Sequence, residues 1–280
     1  MHLSPPLRYP GGKTRAVKIL EKFIPDDVER VISPFFGGGS FENHLAKKNI
    51  PVYGYDFCRP LVDFWQAYLG RKDELFDRLN ELSESVLKPK YWDVDRKSEE
   101  RLEQKAIFSG WKDIALNSED SFERGIHYFA LNRCVFSGLT LIAGPMATKW
   151  IDNKFGPKAI ANLRKVEFAV RSVDYRSCFC SIVENNDEFL YLDPPYVMET
   201  EEKEAIYGND GDMHAGFDHE LLRDTLANHN GRWVMSYLDV PRIRELYSDF
   251  KIENVTWTYS MKPGQDRPKG AEIVITNFEK

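Results

Sequence analysis

The sequence predicts an α/β protein with one mainly parallel sheet interrupted by a mainly helical module. Three observations carry that reading. Short apolar runs of strand type alternate with amphipathic stretches at both ends of the chain. The middle reads as helix almost throughout. Glycines or prolines follow directly on a buried apolar run near each end, as they do where strands stop at a loop. The 280 residues suffice for one large domain or two modest ones. A composition of 42% hydrophobic and 29% charged residues is that of a globular chain rather than a disordered one.

The elements follow in order. Val28 to Phe36 reads as a buried strand, with Val31 and Ile32, then Phe35 and Phe36, as its apolar content; Gly37-Gly38-Gly39 ends it. Ser40 is placed to cap a short helix through Lys48, with Phe41 and Leu45 one turn apart on a single face. Val52 to Tyr55 forms a second strand ending at Asp56. The result is a Rossmann-like βαβ unit, with a glycine turn after its first strand and an acid after its second. From Cys58 to about Glu123 the pattern is helical, with Trp65, Leu69, Leu75, Phe76 and Leu79 as core candidates. Asp120-x-x-Glu123 starts a helix that runs through Ile126 to Phe136. Phe189 to Leu192 is a short apolar strand running into Asp193-Pro194-Pro195-Tyr196. Trp233 to Tyr237 is a further strand, and Val255 to Tyr259 and Ile273 to Thr276 read as an antiparallel pair around a Lys262–Gly270 loop. The expected division is residues 1–57 with 186–280 as one domain, and 58–185 as a helical insert with its connection back to the sheet.

Composition narrows the function. No apolar run approaches the ~20 residues of a membrane span, and the N-terminus has no apolar signal stretch, so neither secretion nor membrane insertion is expected. Four cysteines do not make a disulfide framework, which points to a reducing, cytoplasmic setting. Cys178-x-Cys180 lacks a second pair at zinc-like spacing, and no metal is expected. A net charge of −6 excludes a small protein that coats nucleic acid, but not an enzyme with a local basic face. Bases concentrate at Arg8–Lys22 and Lys149–Arg176, while 187–220 is acidic with Lys203 as its one base. Each such cluster reads first as solvated surface, and alternatively as a face for an anionic partner.

Two segments carry chemistry. In Phe35-Phe36-Gly37-Gly38-Gly39-Ser40, glycines allow positive φ and close approach of a ligand to the backbone, and Asp56 stands where an acid accepts from ribose hydroxyls. The same turn also reads as purely structural. It does not follow G-x-G-x-x-G, since Glu42 holds the third position, and no Gly-Lys-Ser/Thr follows it. Asp193-Pro194-Pro195-Tyr196 is more specific. Two prolines after a buried strand end the ladder and fix the bend. The Asp193 carboxylate and the Pro194 carbonyl can accept both hydrogens of an exocyclic NH2, while the Tyr196 ring can stack on a flat heterocycle.

Together with Arg8-Tyr9-Pro10-Gly11-Gly12-Lys13, these segments resemble the Dam-type, D12-class DNA adenine-N6 methyltransferases. The order agrees: this opening, the cofactor loop, a target-recognition insert, then the Asp-Pro-Pro-Tyr segment. Met235-Ser236-Tyr237 and Ala271 to Asn277 fit as well. The resemblance covers roughly residues 5–60 and 125–280. It implies a Rossmann-like S-adenosylmethionine-dependent methyltransferase sheet, double-stranded DNA as partner, and S-adenosylmethionine as methyl donor, leaving S-adenosylhomocysteine. The chain would act as a monomer or as a dimer on DNA, in a bacterial or phage-infected cell.

Carried over by residue, the resemblance implies cofactor contacts from Tyr9, Gly12, Lys13, Phe35, Gly37, Gly39, Ser40, Asp56, Asp174 and Asp193, and catalysis by Asp193, Pro194 and Tyr196. Leu131-Asn132-Arg133, then Phe136 to Leu139, resemble the family's DNA-reading stretch, with Ser137 in place of its Asn. Asn132, Arg133, Ser137, Lys149, Lys154 and Lys158 are the expected DNA contacts, the lysines to phosphates, with Arg267 of the late loop a further candidate. Arg133 reads equally as a structural ion-pair residue. Leu141 stands where Dam carries an arginine that reads guanine. Leucine cannot make that bidentate bond, so a recognition sequence other than GATC is expected. Methylation of cytosine N4 in DNA or guanine N2 in RNA is the alternative activity, and a catalytically silent DNA-binding relative a third reading.

Overall fold

The computed structural model describes residues 6–86, 99–135, 138–141, 155–184, 187–197, 217–258 and 269–279. The chain divides into two compact units: Met1–Pro10 with Cys58–Phe168, and Gly11–Phe57 with Ala169–Lys280.

The second unit contains the sheet. Its strands, among the described residues, are β1 (Val31–Ser33), β2 (Val52–Asp56), β3 (Ser172–Tyr175), β4 (Phe189–Leu192), β5 (Trp233–Leu238), β6 (Lys251–Thr258) and β7 (Lys269–Thr276), in the spatial order β3-β2-β1-β4-β5-β7-β6. β1 to β5 run parallel, and β7 lies antiparallel between β5 and β6. This mixed α/β architecture is the Rossmann-like methyltransferase sheet expected from the sequence. β1 is shorter than the 28–36 reading. Pro34 has no N–H to extend the ladder, and Phe35 and Phe36 fold into the turn instead. β3 had no counterpart among the expected elements; it lies in the connection back from the helices and pairs with β2, with Asp174 opposite Tyr55.

β4 is buried along its whole length, as a central parallel strand must be. Side chains two apart on neighbouring strands build the core of one face. Leu190 and Leu192, Trp233 and Met235, and Ile273 and Ile275 pack with Ile182 and Val183, Leu222 and Leu226, and Ile243. With the helix Ser40–Lys47 as α1, the last three groups lie on the helices Cys180–Glu184, His219–Ala227 and Pro241–Leu246, here α7, α8 and α9.

The helical unit consists of α2 (Arg59–Gly70), α3 (Lys72–Val86), α4 (Glu99–Asn117), α5 (Ser121–Cys134) and α6 (Pro157–Arg164). Asp120 caps α5 as its spacing predicts, accepting from the backbone N–H groups of Phe122 and Glu123. Of the expected core, Trp65, Leu75, Phe76 and Leu79 are buried, while Leu69 is half-buried. α5 is buried almost all round, from Arg124 to Asn132. It approaches α2 so closely that a Cβ on Gly125 would lie 2.6 Å from the Phe64 backbone nitrogen. Beside that contact, Arg124 Nε bonds Asp63 Oδ2 at 2.6 Å in a buried ion pair.

Gly125→Ala must therefore push two backbones apart. We expect a loss of about 1–3 kcal/mol in unfolding free energy, read as a lower urea midpoint with an unchanged slope.

Candidate active site

β1 is the strand at which the sheet order reverses, with β2 on one side and β4 on the other. Ligands of open α/β sheets bind beyond the carboxyl ends of strands at such a reversal. Three loops of this unit begin there: Pro34–Gly39 after β1, Phe57 after the terminal Asp56 of β2, and Asp193–Val197 after β4.

The glycine turn is built to a definite shape. Gly37 and Gly39 have φ of 50° and 61°, values that side-chain-bearing residues rarely adopt. Gly37 donates its N–H to Asp56 Oδ2 at 2.8 Å, which locks the turn to the end of β2. Asp56 is buried at that junction. Ser40 opens α1, and its Oγ lies 3.2 Å from Thr14 Oγ1. The Phe35 ring packs at 5.6–5.7 Å against Phe179 and Phe217, forming an aromatic wall.

Around Asp193 the side chains gather from distant parts of the sequence. Lys13 Nζ lies 2.5 Å from Asp193 Oδ1 and also donates to the Gly11 carbonyl at 3.1 Å. The same Oδ1 lies 3.3 Å from both the Tyr196 hydroxyl and Ser236 Oγ. The Lys13 ammonium, itself buried, sits 4.9 Å from the centre of the Tyr196 ring. The Tyr196 hydroxyl also reaches Glu272 Oε2 at 3.1 Å. Glu272 is 1% exposed, and its Oε1 has no hydrogen-bond partner among the described residues. A second buried acid, Glu42 on α1, accepts from Ser33 Oγ at 2.9 Å. Burial pushes both the Glu42 and the Glu272 carboxyls up to about 8. Three carboxyls thus surround one ammonium, and the lining is electron-rich.

The bend itself is braced by Tyr237. Its hydroxyl accepts from the Val197 N–H at 3.0 Å and lies 2.9 Å from the Pro195 carbonyl and 2.8 Å from His219 Nδ1. Its ring stacks on Tyr196 with centroids 4.9 Å apart. His219 is the buried first residue of α8. Burial holds its imidazole down to about 4. A histidine that stays neutral in the fold but takes a proton near 6.5 when unfolded weakens the fold as pH drops between those values.

Gly12, Lys13, Phe35, Gly37, Gly39, Ser40, Asp56, Asp174, Asp193, Pro194 and Tyr196 all belong to the sheet unit. Tyr9 belongs to the helical unit, as do Asn132, Arg133 and Lys158. Asn132 corrects its expectation as a DNA contact. It is fully buried, its Oδ1 takes the Arg8 N–H at 3.0 Å, and its Nδ2 donates to the Arg8 carbonyl and to Thr140 Oγ1. It braces the polypeptide and has no surface for a nucleic acid to reach. Arg133 is half-buried; burial, and then the like charge of Arg8, draw its guanidinium down to about 10. Lys158 is exposed on α6. Ser137, Lys149, Lys154, His214 and Arg267 lie outside the described residues. Sequence reasoning missed Glu42, Ser236 and Glu272 as site residues; the available signal was an acid inside the apolar run Ala271 to Ile275.

With this geometry in place, comparison with known proteins is specific. The sequence model of one family, the D12 class N6 adenine-specific DNA methyltransferases, matches residues 9–261. A relative, the Type II methyltransferase M.MjaIII of Methanocaldococcus jannaschii, is 24% identical, with 70% of each chain covered.

Tyr237→Phe removes the hydroxyl that braces the bend. It should lower stability by about 1–3 kcal/mol, because a buried N–H and a buried carbonyl lose their partner; chemical denaturation reads the loss.

Proposed function

The chain belongs to the D12 class of N6 adenine-specific DNA methyltransferases, and on that premise we propose that Asp193, Pro194 and Tyr196 carry its catalysis. The reaction is methylation of adenine N6 in DNA. When bound, S-adenosylmethionine supplies an electrophilic methyl group on a sulfonium sulfur. The surroundings suit such a cation: Asp193 pairs with the Lys13 ammonium, and Glu42 and Glu272 lie within electrostatic reach of it. Asp56, whose Oδ2 already fixes the glycine turn, would accept from the ribose hydroxyls. Gly37 and Gly39 let the donor lie against bare backbone. Gly12, Lys13, Phe35, Ser40 and Asp174 complete the expected donor site within the sheet unit.

The N6 lone pair of adenine is delocalised into the ring, so the amine is a poor nucleophile. Asp193 Oδ1 and the Pro194 carbonyl would draw its hydrogens out of plane and stabilise the positive charge that develops on nitrogen. This is electrostatic preorganisation with orientation. Asp193 need not be a strong base, because a cationic amine sheds its proton readily. A base inside a duplex is unreachable and must be flipped out, and the Tyr196 ring would then replace its lost stacking.

One observation supports this assignment above the rest. Asp193 Oδ1 already collects an N–H donor and two hydroxyls within 3.3 Å. It is an acceptor held in a fixed place, with a side chain 23% exposed and therefore reachable. The Lys13 ammonium stands where an amine donor would stand, and must give way when one arrives.

The helical unit is the proposed target-recognition module. Lys158 and the Arg8–Arg133 pair are its phosphate-binding candidates among the described residues; two guanidiniums that repel each other gain from an anion between them. Leu141 argues for a recognition sequence other than GATC, which methylome sequencing in an unmethylated host would reveal.

The decisive test uses labelled S-adenosylmethionine and mixed duplex DNA, with nucleoside analysis of the product. Label should appear in N6-methyladenine; label only in N4-methylcytosine or in RNA overturns the reading. Asp193→Ala should slow transfer by at least about 10²–10³-fold while binding of S-adenosylhomocysteine is largely retained. Near-normal turnover by that variant contradicts the mechanism.

A further inference from the structure

Three donors converge on Asp193 Oδ1, the atom that the target amine needs, and one of them has a second carboxyl to turn to. The Tyr196 hydroxyl has a single proton and two carboxyl neighbours, Asp193 Oδ1 at 3.3 Å and Glu272 Oε2 at 3.1 Å. Among the described residues this is the hydrogen bond by which Glu272 reaches the bend, and its second oxygen is buried without a partner there. A carboxyl left half-satisfied in the middle of an apolar strand is costly, and no ladder position requires it. Its strand neighbours across the sheet, Leu238 on β5 and Val255 on β6, are apolar.

We propose that Glu272 is a positioning residue for methyl transfer, which draws the Tyr196 hydroxyl proton away from Asp193 and so leaves Asp193 Oδ1 open to the target amine. This rests on the reading of Asp193 as the acceptor for that amine. The two states differ in one proton. An ionised Glu272 accepts from the Tyr196 hydroxyl. A protonated Glu272 donates to the phenolic oxygen instead, and the hydroxyl proton then turns to Asp193 and occupies the acceptor. No covalent bond changes; the proton on Glu272 exchanges with solvent.

The surroundings make Glu272 able to take both states. Burial raises its carboxyl to about 8, the Lys13 ammonium pulls it down, and the Asp193 carboxylate pushes it up, with the Tyr196 hydroxyl bond favouring the charged form. Among the described residues Tyr191 on β4 also lies in electrostatic reach, and burial first, then the neighbouring acids, push its phenol far too high to ionise. Methyl transfer should then rise with pH as Glu272 ionises, since its raised value places the neutral, blocking form below it.

The test is the single-turnover methylation rate of the full-length protein across pH, for the wild type, Glu272→Gln and Tyr196→Phe. Thermal stability is measured alongside, and the carboxylic-acid infrared band of the protein free of DNA and methyl donor is followed. The wild-type rate should show an ionisation step that Glu272→Gln lacks, with the variant about tenfold slower above the step, as befits one hydrogen bond to a charged group. The infrared difference between the two proteins should titrate with a single carboxyl. A wild-type step of unchanged midpoint in Glu272→Gln overturns the proposal. So does an equal loss of rate at every pH that tracks a fall in melting temperature, which marks a structural role. If Glu272→Gln does not fold, Tyr196→Phe decides: it keeps the ring but should lose the step, and a retained step overturns the proposal. Failure of the underlying reading is separately visible, because Asp193→Ala would then methylate normally.

Discussion

The site depends first on the ion pair between Lys13 and Asp193, 2.5 Å long and joining residues 180 positions apart. A lysine buried this deeply is tolerated because a carboxylate meets it. Removing the partner of a buried charge costs about 3–5 kcal/mol, whereas the intact pair adds little net stability. The pair is therefore better understood as a positional constraint than as glue. It holds the glycine-rich opening against the end of β4, and it keeps Asp193 aimed while no amine is present. Everything else near the bend is arranged around that one oxygen: Ser236 from β5, the Tyr196 hydroxyl, and through it Glu272 from β7.

Charge is the second constraint. Two further acids, Glu42 and Glu272, are buried within electrostatic reach of the pair; burial raises both carboxyls, and the Lys13 ammonium offsets that rise only in part. An interior that holds more carboxyls than its one ammonium can compensate is unfavourable in the free protein. It becomes favourable when a positive group arrives, because each carboxyl can then ionise. A sulfonium donor and an amine that acquires positive charge are both such groups. The cost in the free state and the affinity in the loaded state thus have one origin.

The fold was readable wherever apolar spacing and chain punctuation agreed. Phe189 to Leu192 followed by two prolines allowed no reading but a buried strand that ends abruptly, and Asp120 with Glu123 announced the start of α5. β3 was hidden because Ser172-Val173-Asp174-Tyr175 buries a single side chain and makes most of its contribution through backbone pairing with β2. The residues that grip a bend were legible as a motif, but the groups that tune it were not. An acid at 272 looks like a solvent-facing strand position until the fold brings Tyr196 to it. Asn132 failed in the opposite sense: its motif suggested contact with a ligand, whereas its amide pairs with the Arg8 backbone, a use that depends on a fold placing residues 124 positions apart side by side.

The proposed sites divide chemistry from target choice along the same lines. The residues proposed to hold the methyl donor and the amine fall almost wholly within the sheet unit, on the ends of β1, β2 and β4 and on loops locked by backbone hydrogen bonds. Rigid strand ends suit a reaction whose geometry cannot vary. Base reading needs side chains that can change without disturbing that geometry, and Leu141, where a guanine-reading arginine stands in Dam-type enzymes, lies in the helical unit. Replacing a forked donor by an apolar side chain there alters which base edge is accepted and touches none of the bonds that fix Asp193. A chain built as proposed can keep its reaction while its recognition sequence drifts, because the two would be specified by different units of the same polypeptide.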